Sequence, residues 1–165
     1  MKRGFILVEA TITYVVLTLA LIALLPVFIM SMRSAKGAEQ IVAGTQLSTE
    51  LMEEVCLRKW DQATPVPAVH ISVPSAIGVD AGETSSDKRT FNDIDDFDGW
   101  SENPPKDPVM NDMTDFKIYT RTVSVKYVDS SLAVSVSTTD YKQVMVCTKT
   151  QKMKPICLNT ILTNR

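Results

Sequence analysis

The stretch MKRG-FILVEATITYVVLTLALIALLPVFIM, residues 1–30, decides the fold of this chain. Its apolar part, residues 5–30, would form a helix about 39 Å long at about 1.5 Å per residue. That length exceeds the roughly 30 Å hydrocarbon core of a bilayer. A secretory signal peptide would have a shorter apolar core followed by a small-residue cleavage site, and the stretch has neither. The sequence therefore predicts a helix that is able to cross a membrane.

Charged residues set this helix apart from an ordinary membrane anchor. Lys2 and Arg3 precede the apolar residues and are expected to hold the N-terminus in the cytoplasm under the positive-inside rule. Glu9 lies within the apolar stretch, where a carboxylate costs several kcal/mol unless it finds a partner. An α-amino group created by cutting the chain between Gly4 and Phe5 would be the natural partner.

The chain turns polar after residue 30 without losing its helical periodicity. Apolar residues recur there mostly at three- and four-residue spacings, which is typical of an amphipathic helix with one buried face. These residues are Ile41, Leu47, Leu51 and Val55. The amphipathic continuation covers residues 31–60, so one long helix is predicted from Ile6 to Trp60, before Pro65 and Pro67.

The rest of the chain divides into two regions. Residues 61–116 are dense in Pro, Gly, Asp, Asn and Ser, which predicts mostly loop with a short strand near 69–73. Residues 117–165 alternate in polarity and predict an antiparallel β-sheet. Its strands are expected at residues 117–127, 132–137, 141–148 and 156–162. One face of the sheet should pack on the apolar stripe from Leu47 to Val55, so the predicted fold class is α+β.

The segment KRG-FILVE, residues 2–9, resembles the N-terminal signal of type IV pilins and pseudopilins. In that family a prepilin peptidase cuts after the glycine, and the new N-terminal phenylalanine is methylated. The resemblance implies a leader peptide of residues 1–4, cleavage between Gly4 and Phe5, and N-methylation of Phe5. It also implies that Glu9 is the residue needed for assembly and that Pro26 kinks the helix.

Looser similarities extend this resemblance along the chain. QLSTELMEEVCLRKWDQ and TFNDIDDFDGWSENP, followed by YTRTVSVKYV and YKQVMV, resemble PilV-like minor pilins and type II secretion pseudopilins. The fold implied is the type IV pilin fold, in which the second half of a long N-terminal helix packs on a C-terminal antiparallel sheet.

The function implied by the resemblance is that of a minor pilin, which modulates the assembly, adhesion or motility of a type IV pilus-type filament. The implied partners are other pilins or pseudopilins, bound through their N-terminal helices, the prepilin peptidase and the inner-membrane assembly platform. The protein would be a single-pass protein of the bacterial inner membrane, and then part of a periplasmic or extracellular filament. A type II secretion pseudopilin and an uncleaved, membrane-anchored ligand-binding module are the alternatives.

Three cysteines occur in a domain that is expected outside the cytoplasm, where disulfides persist. The favoured bridge joins Cys147 to Cys157, because a hairpin can place them opposite one another and pilins often carry a disulfide near the C-terminus. A bridge from Cys56 to either of them, and no bridge at all, are the alternatives. Cys56 is expected to be a small buried hydrophobic residue of the helix.

An acidic turn is the one candidate for a metal site. Asp93, Asp95, Asp96 and Asp98 lie close together before Gly99. Calcium prefers such oxygen-rich loops, and some pseudopilins bind calcium, but the distal glutamate of an EF-hand is missing. A solvated acidic turn is the favoured interpretation, and a calcium site is the alternative.

No catalytic residue set is recognisable in the sequence. His70 is the single histidine, and it lies in a loop without a nearby nucleophile pattern. Phosphate-binding, dinucleotide-binding and zinc motifs are missing. A formal charge of −2 gives no electrostatic footprint for nucleic acid. Trp60 and Trp100 are expected to be packing anchors, so the sequence predicts a protein that is not an enzyme and needs no cofactor.

Overall fold

The computed structural model describes the backbone of residues 2–164 and the side chains from Leu7 to Asn164. The chain divides between Ile41 and Val42 into two compact units. The regular elements are helix α1 (Lys2–Cys56), strands β1 (Ser101–Glu102), β2 (Thr120–Val128), β3 (Tyr141–Thr150) and β4 (Met153–Thr163), and two short 3-10 helices at Asp95–Phe97 and Thr114–Phe116.

Helix α1 contains the whole apolar stretch. Its most apolar 18-residue window has a mean hydropathy of 2.7, and by length and composition the helix can cross a membrane. Every side chain from Leu7 to Met30 is exposed, apart from the half-buried Thr18. An apolar surface of this extent needs lipid or other protein chains to cover it.

Threonine hydroxyls within the apolar stretch are satisfied by the helix itself. Thr13 Oγ1 donates to the Glu9 carbonyl oxygen at 2.8 Å, and Thr18 Oγ1 donates to the Tyr14 carbonyl oxygen at 2.8 Å. Such bonds to the preceding turn let a hydroxyl enter an apolar environment without an unpaired polar group.

Helix α1 ends at Cys56 and not at the predicted Trp60. Lys59 instead forms an isolated parallel bridge with Asp93, and the Ile94 amide donates to the Lys59 carbonyl oxygen at 3.0 Å. This pairing requires non-helical backbone at Lys59, so a tertiary contact shortens the helix by one turn.

The four strands form one antiparallel sheet in the order β1-β2-β3-β4. This confirms the predicted α+β fold, in which a long N-terminal helix packs on an antiparallel sheet. The register between β2 and β3 runs from Thr120 opposite Lys149 to Val128 opposite Tyr141.

The predicted strand at residues 132–137 is wrong. Residues 129–140 are a loop that is joined to β2 by an isolated bridge between Val128 and Val134 and by Thr139 Oγ1, which donates to the Val128 carbonyl oxygen at 2.6 Å. Asp129 Oδ1 accepts the amides of Ser131 and Ala133 at 2.8 and 3.0 Å, and Leu132 has a φ of 65°. That left-handed conformation is incompatible with a strand. The fourth strand of the sheet is β1, which forms the edge opposite β4. Residues 69–73, where a short strand was predicted, are irregular.

The core lies between the C-terminal part of α1 and the sheet. Leu51 and Val55 are fully buried and belong to one hydrophobic cluster with Val123 and Val144. Burying each such side chain contributes about 1.5–3 kcal/mol. The predicted stripe is therefore confirmed from Leu47 to Val55, whereas Ile41, which was expected on it, is 53% exposed.

A polar contact and a close approach fix the helix against the sheet. Ser48 Oγ donates to Thr148 Oγ1 at 2.7 Å. At Gly44, an added Cβ would lie 3.1 Å from Cδ1 of Ile156 in β4. A Cβ at position 44 would therefore require the end of the Ile156 side chain to shift by a few tenths of an ångström.

Both tryptophans are packing anchors, as predicted. Trp60 and Trp100 are each 8% exposed and belong to the core cluster. The Trp60 ring meets the Tyr127 ring edge-on, with centroids 6.3 Å apart, and Trp100 meets Phe91 in the same way at 5.4 Å.

A disulfide joins Cys147 in β3 to Cys157 in β4, and the two residues lie directly opposite one another in the register. Cys56 is exposed and free, which corrects the expectation that it is buried. The helix turns its apolar stripe at Leu51 and Val55 toward the sheet, and position 56 falls outside that stripe.

Removing the disulfide should lower the free energy of unfolding by about 2–3 kcal/mol, because the bridge closes a short loop in the unfolded chain. The variant is the double substitution Cys147→Ser with Cys157→Ser, which leaves no unpaired thiol in the sheet, and the measurement is denaturant unfolding. Cys56→Ser is the matched control and should change the stability by less than about 0.5 kcal/mol. A thiol count of three in the denatured, unreduced wild type would refute the bridge.

Candidate functional site

Glu9 lies on the exposed surface of α1, within the apolar stretch. Ala10, Thr13, Tyr14 and Leu17 line a shallow depression of about 510 Å³ beside it. None of the described side chains forms an ion pair with the Glu9 carboxylate. The carboxylate is therefore available to a cation from outside this chain segment, and an apolar environment would make that pairing favourable.

The predicted processing site lies at the start of α1. Met1 and the side chain of Phe5 lie outside the described residues, so cleavage and methylation stay predictions. The helix begins at Lys2, which places the Gly4–Phe5 peptide bond in the first turn. Amides in the first turn of a helix have no partner within it, so this is the part that opens most easily.

Helix α1 continues through Pro26 without an interruption. Proline removes one helix hydrogen bond and crowds the carbonyl of residue 22, which is the physical basis of the expected kink. A second shallow depression of about 510 Å³ lies beside Pro26, lined by Ile22, Leu25, Ile29, Met30 and Arg33. The bend itself stays a prediction.

A buried ion network, here called the Glu102 network, joins the helix to the sheet in the C-terminal unit. It consists of Glu54, Lys88, Glu102 and Arg121. Glu102 Oε2 lies 2.6 Å from Arg121 Nη2, and Glu102 Oε1 lies 2.9 Å from Lys88 Nζ, with all three side chains fully buried. Lys88 Nζ also bonds Glu54 Oε2 at 2.8 Å. Burial alone would raise the pKa of Glu102, but the charge of Arg121, donors such as the Lys106 amide, and Lys88 outweigh it and hold that pKa below its usual value.

A third buried cation, Lys142, lies toward the other end of the β2–β3 pair from Arg121. Its Nζ bonds Asp95 Oδ1 at 2.7 Å and the Trp60 carbonyl oxygen at 2.7 Å, and it lies 3.7 Å from Asp61 Oδ2. The same nitrogen lies 4.2 Å above the centroid of the Trp60 ring. None of the three buried cations was recognised from the sequence, since Lys142 and Arg121 occupy ordinary positions in alternating strands and Lys88 lies in the region predicted to be loop.

The acidic turn is buried, which corrects the expectation of a solvated turn. Asp93, Asp95 and Asp96 are at most 1% exposed, and only Asp98 is exposed. Asp96 Oδ2 accepts the amides of Asn92 and Asp93 at 2.9 and 3.0 Å, and Asp98 Oδ1 accepts the Val125 amide at 2.8 Å. Three buried apolar residues draw the turn into the core with its carboxylates: Phe91, Ile94 and Phe97. Their spacing was the signal in the sequence that could have predicted this burial.

The calcium alternative gains no support from this geometry. Within the part of the chain whose side chains are described, no three His, Cys, Asp or Glu residues are placed to hold a metal ion together. Three of the four aspartates direct an oxygen at backbone amides, and Asp95 directs both of its oxygens at Lys142 and Ser75.

A cleft of about 440 Å³ opens between the acidic turn and β1, and Asp96, Asp98 and Lys106 contribute to its lining. Phe91 and Trp100 form part of the wall, but they are only 2% and 8% exposed. The cleft therefore offers polar edges and no aromatic face on which a ligand could stack.

His70 lies on the surface, where its Nε2 is 3.1 Å from Asp140 Oδ1 and both side chains are 55% exposed. Asn164 Nδ2 donates to the same Asp140 oxygen at 2.9 Å and to the Ile71 carbonyl oxygen at 2.7 Å. These contacts fasten the loop around residue 70 to the end of β4, which is a structural role.

No protein-family model matches the chain, and neither the curated proteins nor the solved structures include a match.

Proposed function

We propose that this chain is a minor pilin, a pilin-like subunit that is processed by a prepilin peptidase and assembled into a type IV pilus-type filament. The observation that supports it best is Glu9, a carboxylate on an exposed apolar helix of membrane-crossing length. The Gly4–Phe5 bond five residues before it is the place where proteolysis would create a matching cation.

The assembly step follows from the cost of a buried charge. Cleavage leaves a cationic amine on Phe5 at the end of an apolar helix. In a filament core that amine would meet the Glu9 carboxylate of a neighbouring subunit, so each charge compensates the other. Such a pair contributes register and specificity more than net stability.

The apolar surface of α1 would be covered first by lipid and later by neighbouring subunits. Lipid of the bacterial inner membrane would cover residues 7–30 before assembly, and the same segments of neighbouring subunits would cover them in the filament. Because lipid and packed apolar helices are similarly apolar, this exchange has little hydrophobic cost, and the charge pair can decide where each subunit stops.

The C-terminal unit would be the part displayed in the periplasm or outside the cell. Its helix is held to the sheet by an apolar stripe and by two buried cations. Lys88 bonds Glu54 of the helix and Glu102 of β1, and Arg121 of β2 donates through Nη1 to the Leu47 carbonyl oxygen. A C-terminal unit built in this way can modulate assembly, adhesion or motility through its loops, while the apolar part of α1 stays in the filament core.

Processing gives the direct test of this function. Coexpression with a prepilin peptidase should give a mature chain that lacks residues 1–4 and carries one added methyl group, a gain of about 14 Da. Intact-mass spectrometry measures both changes, and a Gly4→Leu variant should keep the leader. A wild-type chain that retains Met1–Gly4 under these conditions would contradict the proposal.

A further inference from the structure

Buried carboxyl groups outnumber cations at the back of the acidic turn. Six acidic side chains from three segments lie near one another there and are called the acidic cluster: Asp61, Asp80, Glu83, Asp93, Asp95 and Asp96. Lys142 from β3 is the cation that faces them, and the Tyr127 hydroxyl from β2 is the other titratable group. Four of the carboxyls, those of Asp61, Asp93, Asp95 and Asp96, are at most 1% exposed. One lysine cannot neutralise them all.

Part of the cluster is fully paired. Lys142 bonds Asp95 at 2.7 Å. Asp61 accepts the Ala63 amide at 2.9 Å and the Ser75 amide and hydroxyl at 2.7 and 2.8 Å. Burial alone would raise the pKa of Asp61, but these donors, together with Lys142, hold it below its usual value. Tyr127 donates its hydroxyl to the Ser75 carbonyl oxygen at 2.7 Å and stays neutral, because burial and the surrounding aspartates raise its pKa.

Asp93 and Asp96 are paired through one carboxyl oxygen only. Asp93 Oδ2 and Asp96 Oδ1 are buried and have no hydrogen-bond partner among protein donors. Yet each carboxyl lies beside another one. The Asp95 amide donates to Asp93 Oδ1 at 3.1 Å, and Asn92 joins Asp96 to Glu83 by donating its amide to Asp96 Oδ2 at 2.9 Å and its Nδ2 to Glu83 Oε1 at 2.5 Å. Two ionised carboxylates offer only acceptors, so such a contact is a hydrogen bond only when one member holds a proton. One proton in each pair would supply the missing donors.

We propose that the pairs Asp93–Asp95 and Glu83–Asp96 are proton-binding sites, which hold residues 80–98 against the core and loosen them as the pH rises. The step involves only proton loss to solvent, and each lost proton leaves one more buried negative charge in the cluster.

The electrostatics agree with this assignment. Burial, followed by the hydrogen bond with Asp96 and its charge, raises the pKa of Glu83 to about 7. Burial, followed by the hydrogen bond with Asp95 and the charges of Asp95 and Asp96, raises the pKa of Asp93 to about 9. Folded-state pKa values above those of the unfolded chain mean that folding takes up protons. The stabilisation is therefore complete at acidic pH and is lost as the pH rises through about 7 and then about 9.

Residues 80–98, which the two protonated pairs would hold in place, include several side chains of the hydrophobic core. Phe91, Ile94 and Phe97 lie within it and are at most 2% exposed. Its backbone is fastened by the Ile94 amide, which donates to the Lys59 carbonyl oxygen at 3.0 Å. Repulsion between ionised carboxylates of the acidic cluster should therefore lower the stability of the whole C-terminal unit, and residues 80–98 should become exposed to solvent first.

The test compares full-length protein in neutral detergent micelles at pH 5.5 and pH 8.5. Between these two values the wild-type Tm is expected to fall by on the order of 5 °C. Peptides that cover residues 80–98 should also exchange their amide hydrogens several-fold faster at pH 8.5, after correction for the intrinsic rate, whereas those that cover residues 141–150 should not.

Glu83→Gln and Asp93→Asn are the decisive variants, because each amide keeps the shape of the protonated acid and supplies a permanent donor. Each should reduce the pH-dependent fall in Tm, and the two reductions together should account for most of the wild-type fall. Glu53→Gln removes an exposed carboxylate, and His70→Gln removes the single histidine of the chain. Both controls should keep the wild-type fall.

Three results would overturn the proposal. The first is a wild-type fall in Tm that persists in both Glu83→Gln and Asp93→Asn. The second is a fall that disappears in His70→Gln. The third is a rise in the wild-type Tm on adding 1 mM calcium at pH 8.5 that is lost in Glu83→Gln, since the cluster would then hold a cation in place of protons.

Discussion

Glu9→Ala should insert into the membrane and be processed normally, yet fail to enter filaments. The substitution leaves the amine of a neighbouring Phe5 buried without its counter-charge, which costs about 3–5 kcal/mol. At about 1.4 kcal/mol per factor of ten, incorporation should fall more than a hundredfold. The measurement is the amount of this subunit in sheared, purified filaments, relative to the amount in the membrane fraction.

A matched control separates this effect from the loss of any glutamate on the helix. Glu39 is an exposed glutamate of α1 that follows the apolar stretch, and Glu39→Ala should be incorporated like the wild type. Glu9→Gln keeps the size and polarity but removes the charge, and it should behave like Glu9→Ala. Normal incorporation of Glu9→Ala would eliminate the charge pair as the assembly mechanism.

Glu102→Ala should lower the free energy of unfolding of the C-terminal unit by about 3–5 kcal/mol. Arg121 and Lys88 are both fully buried, and Glu102 lies within 2.9 Å of each, so its removal leaves two buried cations with a shared partner missing. Because folded domains have only about 5–15 kcal/mol of stability, the variant should lose a large fraction of its stability and unfold at a lower denaturant concentration. Denaturant unfolding followed by tryptophan fluorescence measures the loss.

An exposed ion pair in the same region supplies the comparison. Asp112 lies 2.6 Å from Lys106 Nζ, and its side chain is 51% exposed. Asp112→Ala should therefore cost less than about 1 kcal/mol. If the losses from Glu102→Ala and Asp112→Ala were equal, burial would not be what makes the Glu102 network important.

The sequence predicted the parts of the fold that follow from periodicity. The apolar residues of the helix stripe, such as Leu51 and Val55, recur over several turns. Those of β2, such as Val123 and Val125, recur at every second position. In both elements the local sequence pattern therefore agrees with the tertiary packing. The turn between β3 and β4 was located for the same reason, and with it the position of Cys147 opposite Cys157.

Predictions failed where one long-range or side-chain contact decides the structure. Residues 132–137 alternate like a strand, but the Asp129 carboxylate closes a turn at their start. Lys59 leaves the helix because Asp93, 34 residues later, pairs with its backbone. The acidic turn was interpreted by its charges, although Phe91, Ile94 and Phe97 decided its burial. The partners of Arg121 and Lys142 lie far away in the sequence, so no local pattern reveals them.

The hydrogen bond between Ser48 and Thr148 spans 100 positions in the sequence, and that between Trp60 and Leu162 spans 102. Loops this long close slowly, because most of the chain must be ordered before such a contact forms. Synthesis runs from the N-terminus, so the apolar stripe around Leu51 emerges long before β3 and β4 are available to cover it. The stripe on the nascent chain is therefore exposed until β3 and β4 have been synthesised, and during that time it can associate with another nascent chain.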